Sequence, residues 1–288
     1  MRKSICEYLS QSRGFKVDAE QVVISSGTEY LFYIIFKLFN NKIYGLENPC
    51  HKMFKELFLT NNISFKAISL DENGIVIDDL KKYDVNIAYV TPSHQFPTGA
   101  IMSISRRTEL LNWANENPDR YIVEDDYDSE FKYTGRPIPA LKANDINDKV
   151  IYLGSFSKSI SPAIRVSYLV LPKALLNIYQ RELPYFICPV PTLNQKILYR
   201  FIKDGYFVKH INKMRTLYKK KREFLVNTIK AYSSKILNKE IQIQGADAGL
   251  HMVIKLNQKI NEKLFLNECL ENSLKLYSLE EYNIEEIY

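Results

Sequence analysis

Long apolar runs are missing from this sequence. None nears the ~18 residues that a membrane-spanning helix needs, so no span is expected. Cysteine is scarce: Cys6, Cys50, Cys188 and Cys269 stand alone, without the spacing of a disulfide framework or a metal knuckle, which fits a reduced, cytoplasmic setting. Charge of one sign is also lacking. Lys and Arg number 39 against 33 Asp and Glu, a net charge of +6, and the basic residues are scattered. The one basic run, Lys219 to Arg222, follows an apolar helical pattern and reads as a solvated helix face, so no direct nucleic-acid contact is expected. Met1-Arg-Lys is followed by no apolar stretch and is not a signal peptide. Repeats and low-complexity tracts are absent. What remains, 288 residues with 46% hydrophobic and 25% charged, is an ordinary globular composition with room for a sizeable core.

Short apolar runs alternate with helical patterns along most of the chain. Helices are expected over 3–12, from Thr28 to about Phe39, from Ser103 through Trp113, after Pro172, and over most of Thr192 to Ser234. Strands are expected at Val22–Ser25, Ile43–Leu46, Ile87–Val90, 121–123, 149–153 and Arg165–Leu171. Beyond residue 240 the pattern gives strands over 240–255, broken at Gly245 and Gly249, a helix from Ile260 to Leu270, and a last strand at Leu274–Tyr277. The pair Arg106-Arg107 reads as part of a solvated helix face. Strands alternating with helices predict an α/β fold: a mostly parallel central sheet with helices on both faces. We expect a large domain over 1–205, and a connecting helix with a partial α+β small domain over 206–288.

The candidate chemistry gathers around Lys158. The strand at 149–153 stops at Gly154, and Ser155, Ser157, Ser159 and Ser161 follow, with Lys158 among them and Arg165 seven positions on. Hydroxyls and a guanidinium at a strand end suit a phosphate, and a lysine beside a phosphate suits a Schiff base with pyridoxal phosphate. A solvated loop is the alternative. Upstream, Tyr121-Ile-Val-Glu-Asp-Asp-Tyr-Asp-Ser-Glu130 crowds acids at a strand end, where open α/β sheets bind ligands. Asp125 is the candidate to keep a pyridine nitrogen protonated, and Tyr127 to bond the phenolic oxygen; a metal site or helix cap is the alternative. Gly27, Thr28 and Glu29 turn a strand into a helix start, an arrangement for anions or a plain N-cap.

These stretches together resemble the aminotransferase-like domain of the MocR-type regulators, relatives of the class I aminotransferases. The carriers are Ser25-Ser-Gly-Thr-Glu29, Thr91-Pro-Ser-His-Gln-Phe-Pro-Thr-Gly99, Glu124-Asp-Asp-Tyr-Asp-Ser-Glu-Phe131, and Ser155-Phe-Ser-Lys-Ser-Ile-Ser-Pro162 with Arg165. The resemblance implies pyridoxal phosphate anchored on Lys158, with Asp125 and Tyr127 at its ring and Gly27, Thr28, Glu29, Ser155, Ser157 and Arg165 at its phosphate. His51 stands where the family places a ring-stacking tyrosine, and Met53 where the regulators often place an arginine. His94 and Gln95 stand near the place of the family's usual asparagine. The family's substrates are amino and keto acids, and its members usually form homodimers. No arginine follows Arg222 to clamp a substrate carboxylate, and the segment that would carry it, like the regulators' winged helix-turn-helix, is expected outside this chain. Three readings follow: a transaminating domain, a non-catalytic sensor of pyridoxal phosphate and amino acid, and a remnant that has lost the cofactor.

Overall fold

The structure, a computed structural model, describes residues 1–135, 138–233, 241–256 and 260–284. Its centre is an eight-stranded sheet. In chain order the strands are β1 (Val22–Ser25), β2 (Tyr44–Asn48), β3 (Phe65–Asp71), β4 (Gly74–Ile75), β5 (Ile87–Val90), β6 (Tyr121–Asp126), β7 (Val150–Ser155) and β8 (Ser167–Val170). In space the order is β1-β8-β7-β6-β5-β2-β3-β4. The run from β7 to β3 is parallel, whereas β8 lies antiparallel to both β7 and β1, and β4 antiparallel to β3.

Strands buried on both faces must be apolar throughout, and β1, β5 and β8 are fully buried. The period of two divides their side chains. From β5, Ile87 and Tyr89 join one core with Leu31, Phe32, Ile35 and Phe36 of α2 (Thr28–Leu38) and Phe54 and Phe58 of α3 (Lys52–Thr60). Ala88 and Val90 join the opposite core, with Leu80 of α4 (Ile77–Lys82) and Leu110, Leu111 and Trp113 of α5 (Ile104–Asn115). A third cluster, over β1, β7 and β8, takes in Ile5, Tyr8 and Leu9 of α1 (Arg2–Ser12). The expected α/β fold is thus present, with helices on both faces.

After β8 come α6 (Lys173–Glu182), α7 (Thr192–Lys203) and α8 (Tyr206–Tyr232); the expected helical stretch from Thr192 is two helices, parted at Asp204 and the left-handed Gly205. Then β9 (Gln242–Gln244) and β10 (Val253–Lys255) form a separate antiparallel pair, followed by α9 (Glu262–Glu271). The end of the described chain is stitched back to the β2–α3 turn: Cys50 N donates to Tyr282 O at 3.0 Å, Ile284 N to Asn48 Oδ1 at 2.9 Å, and Lys52 pairs with Glu281 at 2.6 Å.

Three expectations fail. Leu274–Tyr277 pairs with no strand among the described residues. Arg107 is not on a solvated face. It is 2% exposed, and its guanidinium donates to the carbonyls of Met102, Pro92 and Pro139. Three converging carbonyls replace the water that a buried guanidinium would otherwise lose. Arg106, largely buried, pairs with Asp71 at 2.7 Å and Glu109 at 2.9 Å, and also donates to Ile75 O. The strand expected from Arg165 begins at Ser167, because Arg165 takes a left-handed backbone (φ 46°).

Candidate active site

The strand order reverses between β2 and β5. From β2 the chain steps outward to β3, then returns to the other side of β2 and continues through β5, β6 and β7. Open α/β sheets bind ligands at such a switch point, beyond the carboxyl ends of the strands. Those ends carry His51 after β2, the loop 91–99 after β5, Asp125 and Tyr127 at the end of β6, and Ser155 to Lys158 after β7. A cavity of about 1330 Å³ lies there, and its walls include Thr28, His51, Asp125, Tyr127 and Lys158. The C-terminal segment closes it with Leu250, His251, Ile254, Phe265 and Tyr282, among others.

Beside Thr28 is a hydroxyl-rich corner. Neighbouring strands β1, β8 and β7 end in register at Ser25, Ser167 and Ser155. Ser167 Oγ donates to Ser155 Oγ at 3.2 Å, and Ser157 N donates to the same oxygen at 3.1 Å. The buried hydroxyls of Ser25 and Ser159 have no partner in the protein. Arg165 reaches over Gly27 and pairs with Glu29 at 3.2 Å. Gly27 sits at φ 98°, and a Cβ there would overlap Arg165 Nη2, so the approach requires glycine. Residues 27–29 and 165 thus adjoin the serines that end β1, β8 and β7, at the edge of the cavity.

Burial governs the electrostatics. Asp125 accepts from Tyr89 Oη at 2.8 Å, yet burial pushes its carboxyl up to about 7, and the nearby carboxylates of Asp126 and Asp128 push the same way. Glu47, at the end of β2, accepts from Thr91 N and Thr91 Oγ1 at 3.1 and 2.7 Å; burial lifts it, too, to about 7. Burial and then the charge of Lys158 lower His51 below its ordinary value. His251 is lowered to about 4, by burial first and by His94 next, with Lys158 adding to it. Both imidazoles thus feel the lysine. Burial drives the Cys50 thiol up to about 12, so it is inert.

The expected ring-stacking position is filled differently. His51 caps α3, its Nδ1 accepting from Met53 N at 3.2 Å, and its ring leans on Phe96 with centroids 5.1 Å apart. Tyr127 Oη donates to His94 O at 2.7 Å. His94 faces Asp128, its Nδ1 3.0 Å from Oδ2, and its Nε2 lies 3.0 Å from Gly245 O. Gln95 holds Glu47, Pro49 and its own loop. The sequence reading missed Glu47, Tyr89, Asp128 and His251. Glu47 carried a signal, since it is an acid ending a buried strand, as Asp125 is. His251 carried none, because only the fold brings it to this cavity.

An open sheet with a lysine and a buried carboxyl in its switch-point cavity defines a small-molecule-binding domain of the α/β class. The chain belongs to the aminotransferase class I and II family, whose model matches residues 1–283. It is 39% identical to the HTH-type transcriptional regulator YdeL of Bacillus subtilis, over 96% of this chain and 59% of that one. It is 30% identical to the probable rhizopine catabolism regulatory protein MocR of Rhizobium meliloti, over 92% of this chain and 53% of that protein. The chain thus spans less than two thirds of the length of either regulator. Among solved structures it resembles a kynurenine aminotransferase from Pyrococcus horikoshii in complex with PMP, with a TM-score of 0.83 and 25% identity, covering 98% of this chain and 71% of that one.

Proposed function

We propose that this domain binds pyridoxal phosphate through Lys158 and receives an amino acid beside it. The observation that carries this reading is the convergence of Lys158, Asp125 and Tyr127 on one cavity, with the corner of Gly27, Ser155 and Arg165 at its edge. The residues fit the group. Asp125 is a buried carboxyl whose charged neighbours are acids, so a protonated ring nitrogen is the counter-charge that it lacks. The unpartnered Ser25 and Ser159 hydroxyls, with Arg165 pressed over Gly27, suit phosphate oxygens. Bound there, pyridoxal phosphate supplies an aldehyde for an amine and an electron sink for carbanion chemistry.

The chain's own groups do the rest. Lys158 would offer the amine that holds the group, and its Nζ would move the proton at the substrate Cα. Asp125 holds the proton of the ring nitrogen. Tyr127 sets the polarity at the phenolic oxygen from a position fixed by His94 O. The apolar C-terminal wall excludes water. Exposed Tyr30, Tyr33, Tyr185 and Ile187 suit contact with a second copy of the chain.

A sensor without turnover is the second reading, and one observation favours it: the chain is 39% and 30% identical to the two regulators. Titration with pyridoxal phosphate separates these readings. The wild type should develop a near-visible absorbance band that Lys158→Ala lacks. Amino acids should then perturb the band. Conversion of an amino acid and keto acid pair would mark an enzyme; perturbation without conversion would mark a sensor. A band that persists in Lys158→Ala would refute the anchor.

A further inference from the structure

Outside the lysine and its acids, three side chains from distant parts of the chain meet: Asp128 just past β6 and His251 before β10, both on the cavity wall, and His94 of the β5 loop buried against them. One ligand atom from each lies within 4.8 Å of those of the other two. His94 and Asp128 are each 1% exposed.

The hydrogen bonding around them leaves too many acceptors facing one another. His94 Nε2 lies 3.0 Å from Gly245 O, and a carbonyl only accepts, so the proton of a neutral ring belongs on Nε2. Nδ1 then turns a lone pair toward Asp128 Oδ2, 3.0 Å away. A proton or a metal ion shared by the two atoms satisfies both lone pairs. His251 Nε2 and Asp128 Oδ1 are each buried without a partner. Metal-bound histidines characteristically donate their other N–H to a carbonyl or carboxylate, which fixes the tautomer and aims the lone pair. His94 has that support from Gly245 O.

The wider charge balance favours a cation. Glu47, Asp125, Asp126 and Asp128 are all buried around this end of the sheet, and of these Asp126 has the guanidinium of Arg13 at 2.6 Å. The rings are also held. Centroids of His94 and His251 lie 4.3 Å apart, and Phe96 packs on His251 at 5.2 Å. Gly249 seals one side, where a Cβ would overlap both His94 Nδ1 and Asp128 Oδ2.

We propose that His94, Asp128 and His251 form a binding site for a divalent first-row transition ion, zinc above all. Two imidazoles and one carboxylate match the donor preference of zinc, with Zn–N and Zn–O distances of about 2.0–2.2 Å. The fourth position is open to water or to Tyr127, whose Oη is 3.4 Å from His94 Nδ1. The ion staples the 245–251 segment to the loop that positions Tyr127, and this role is independent of whether the cavity holds pyridoxal phosphate.

The test uses the metal alone on the whole chain, stripped with a chelator. Co²⁺ should give the visible d–d bands of a tetrahedral site at one equivalent per chain, and Zn²⁺ should displace it and raise the melting temperature. His251→Ala and Asp128→Asn should each weaken Zn²⁺ by at least about a hundredfold, since loss of even a supporting residue costs about 10–100-fold. No tetrahedral Co²⁺ spectrum in the wild type would overturn the proposal and leave a proton between His94 and Asp128. Zn²⁺ binding that is unchanged in both variants would overturn it as well, by placing the ion elsewhere.

Discussion

Gly249 and Gly205 form a matched pair that tests how tightly the C-terminal segment is seated. Both have left-handed backbones, φ 66° and φ 79°. Alanine at either position bears the same conformational penalty, about 1–2 kcal/mol, partly offset by the smaller entropy of the unfolded chain. The surroundings differ. Nothing lies within 4 Å of a Cβ at Gly205, whereas one at Gly249 would overlap His94 Nδ1 and Asp128 Oδ2. Gly249→Ala must therefore part the buried His94–Asp128 contact, worth roughly 1.5–3 kcal/mol whether a proton or a metal ion joins the two, and overpack a tight site for roughly 1–3 kcal/mol more. Gly205→Ala should cost about 1 kcal/mol and Gly249→Ala about 4 kcal/mol. For a chain of this size, at about 2–4 °C per kcal/mol, the melting temperature should fall by a few degrees in the first variant and by roughly 10 °C in the second. Thermal melts followed by circular dichroism at 222 nm measure both. Equal shifts would refute the packing of residues 245–251 against His94 and Asp128.

Further outcomes are expected. Without cofactor, Glu47 and Asp125 sit up at about 7, against roughly 4 in an unfolded chain, so the folded state keeps protons that the unfolded chain releases between those values. Their contribution is full at low pH and is lost as pH rises toward 7; Glu47→Gln should gain melting temperature relative to wild type between pH 5 and pH 8, and a constant difference would contradict this. Arg107→Met strands the carbonyls of Met102, Pro92 and Pro139 and should cost about 3 kcal/mol in urea unfolding, against under about 0.5 kcal/mol for the half-exposed Lys219→Ala. Gly27→Ala strains a backbone at φ 98° and pushes on Arg165 and Glu29, so it should cost about 1–2 kcal/mol of stability and, in the folded protein, weaken pyridoxal phosphate at least about tenfold by spectral titration.

Much of the sheet was legible because strands buried on both faces are written as apolar runs, and Val22–Ser25 and Ile87–Val90 lie where those runs lie. The candidate residues were legible where chemistry and strand end coincide: Lys158 follows β7, Asp125 ends β6, and Thr28 opens α2. Contacts between segments far apart in the chain left no local trace. Arg107 looks solvated beside Arg106 because nothing nearby announces that Pro92 and Pro139 turn their carbonyls toward it. Asp128 was one acid among several, and the partners of His251 lie about 120 to 160 residues upstream. Leu274–Tyr277 has a strand's alternation, but a strand needs a pairing partner as well as a pattern, and this segment pairs with none among the described residues.

The most direct measurement is borohydride reduction of the protein incubated with pyridoxal phosphate, followed by peptide mapping. Lys158 shares its cavity with Lys255 and Lys275, so the experiment offers the reagent a choice. The account predicts stoichiometric label on Lys158, with label lost on Asp125→Asn or Gly27→Ala at limiting reagent. Label on Lys255 or Lys275, spread over surface lysines, or absent altogether would contradict it.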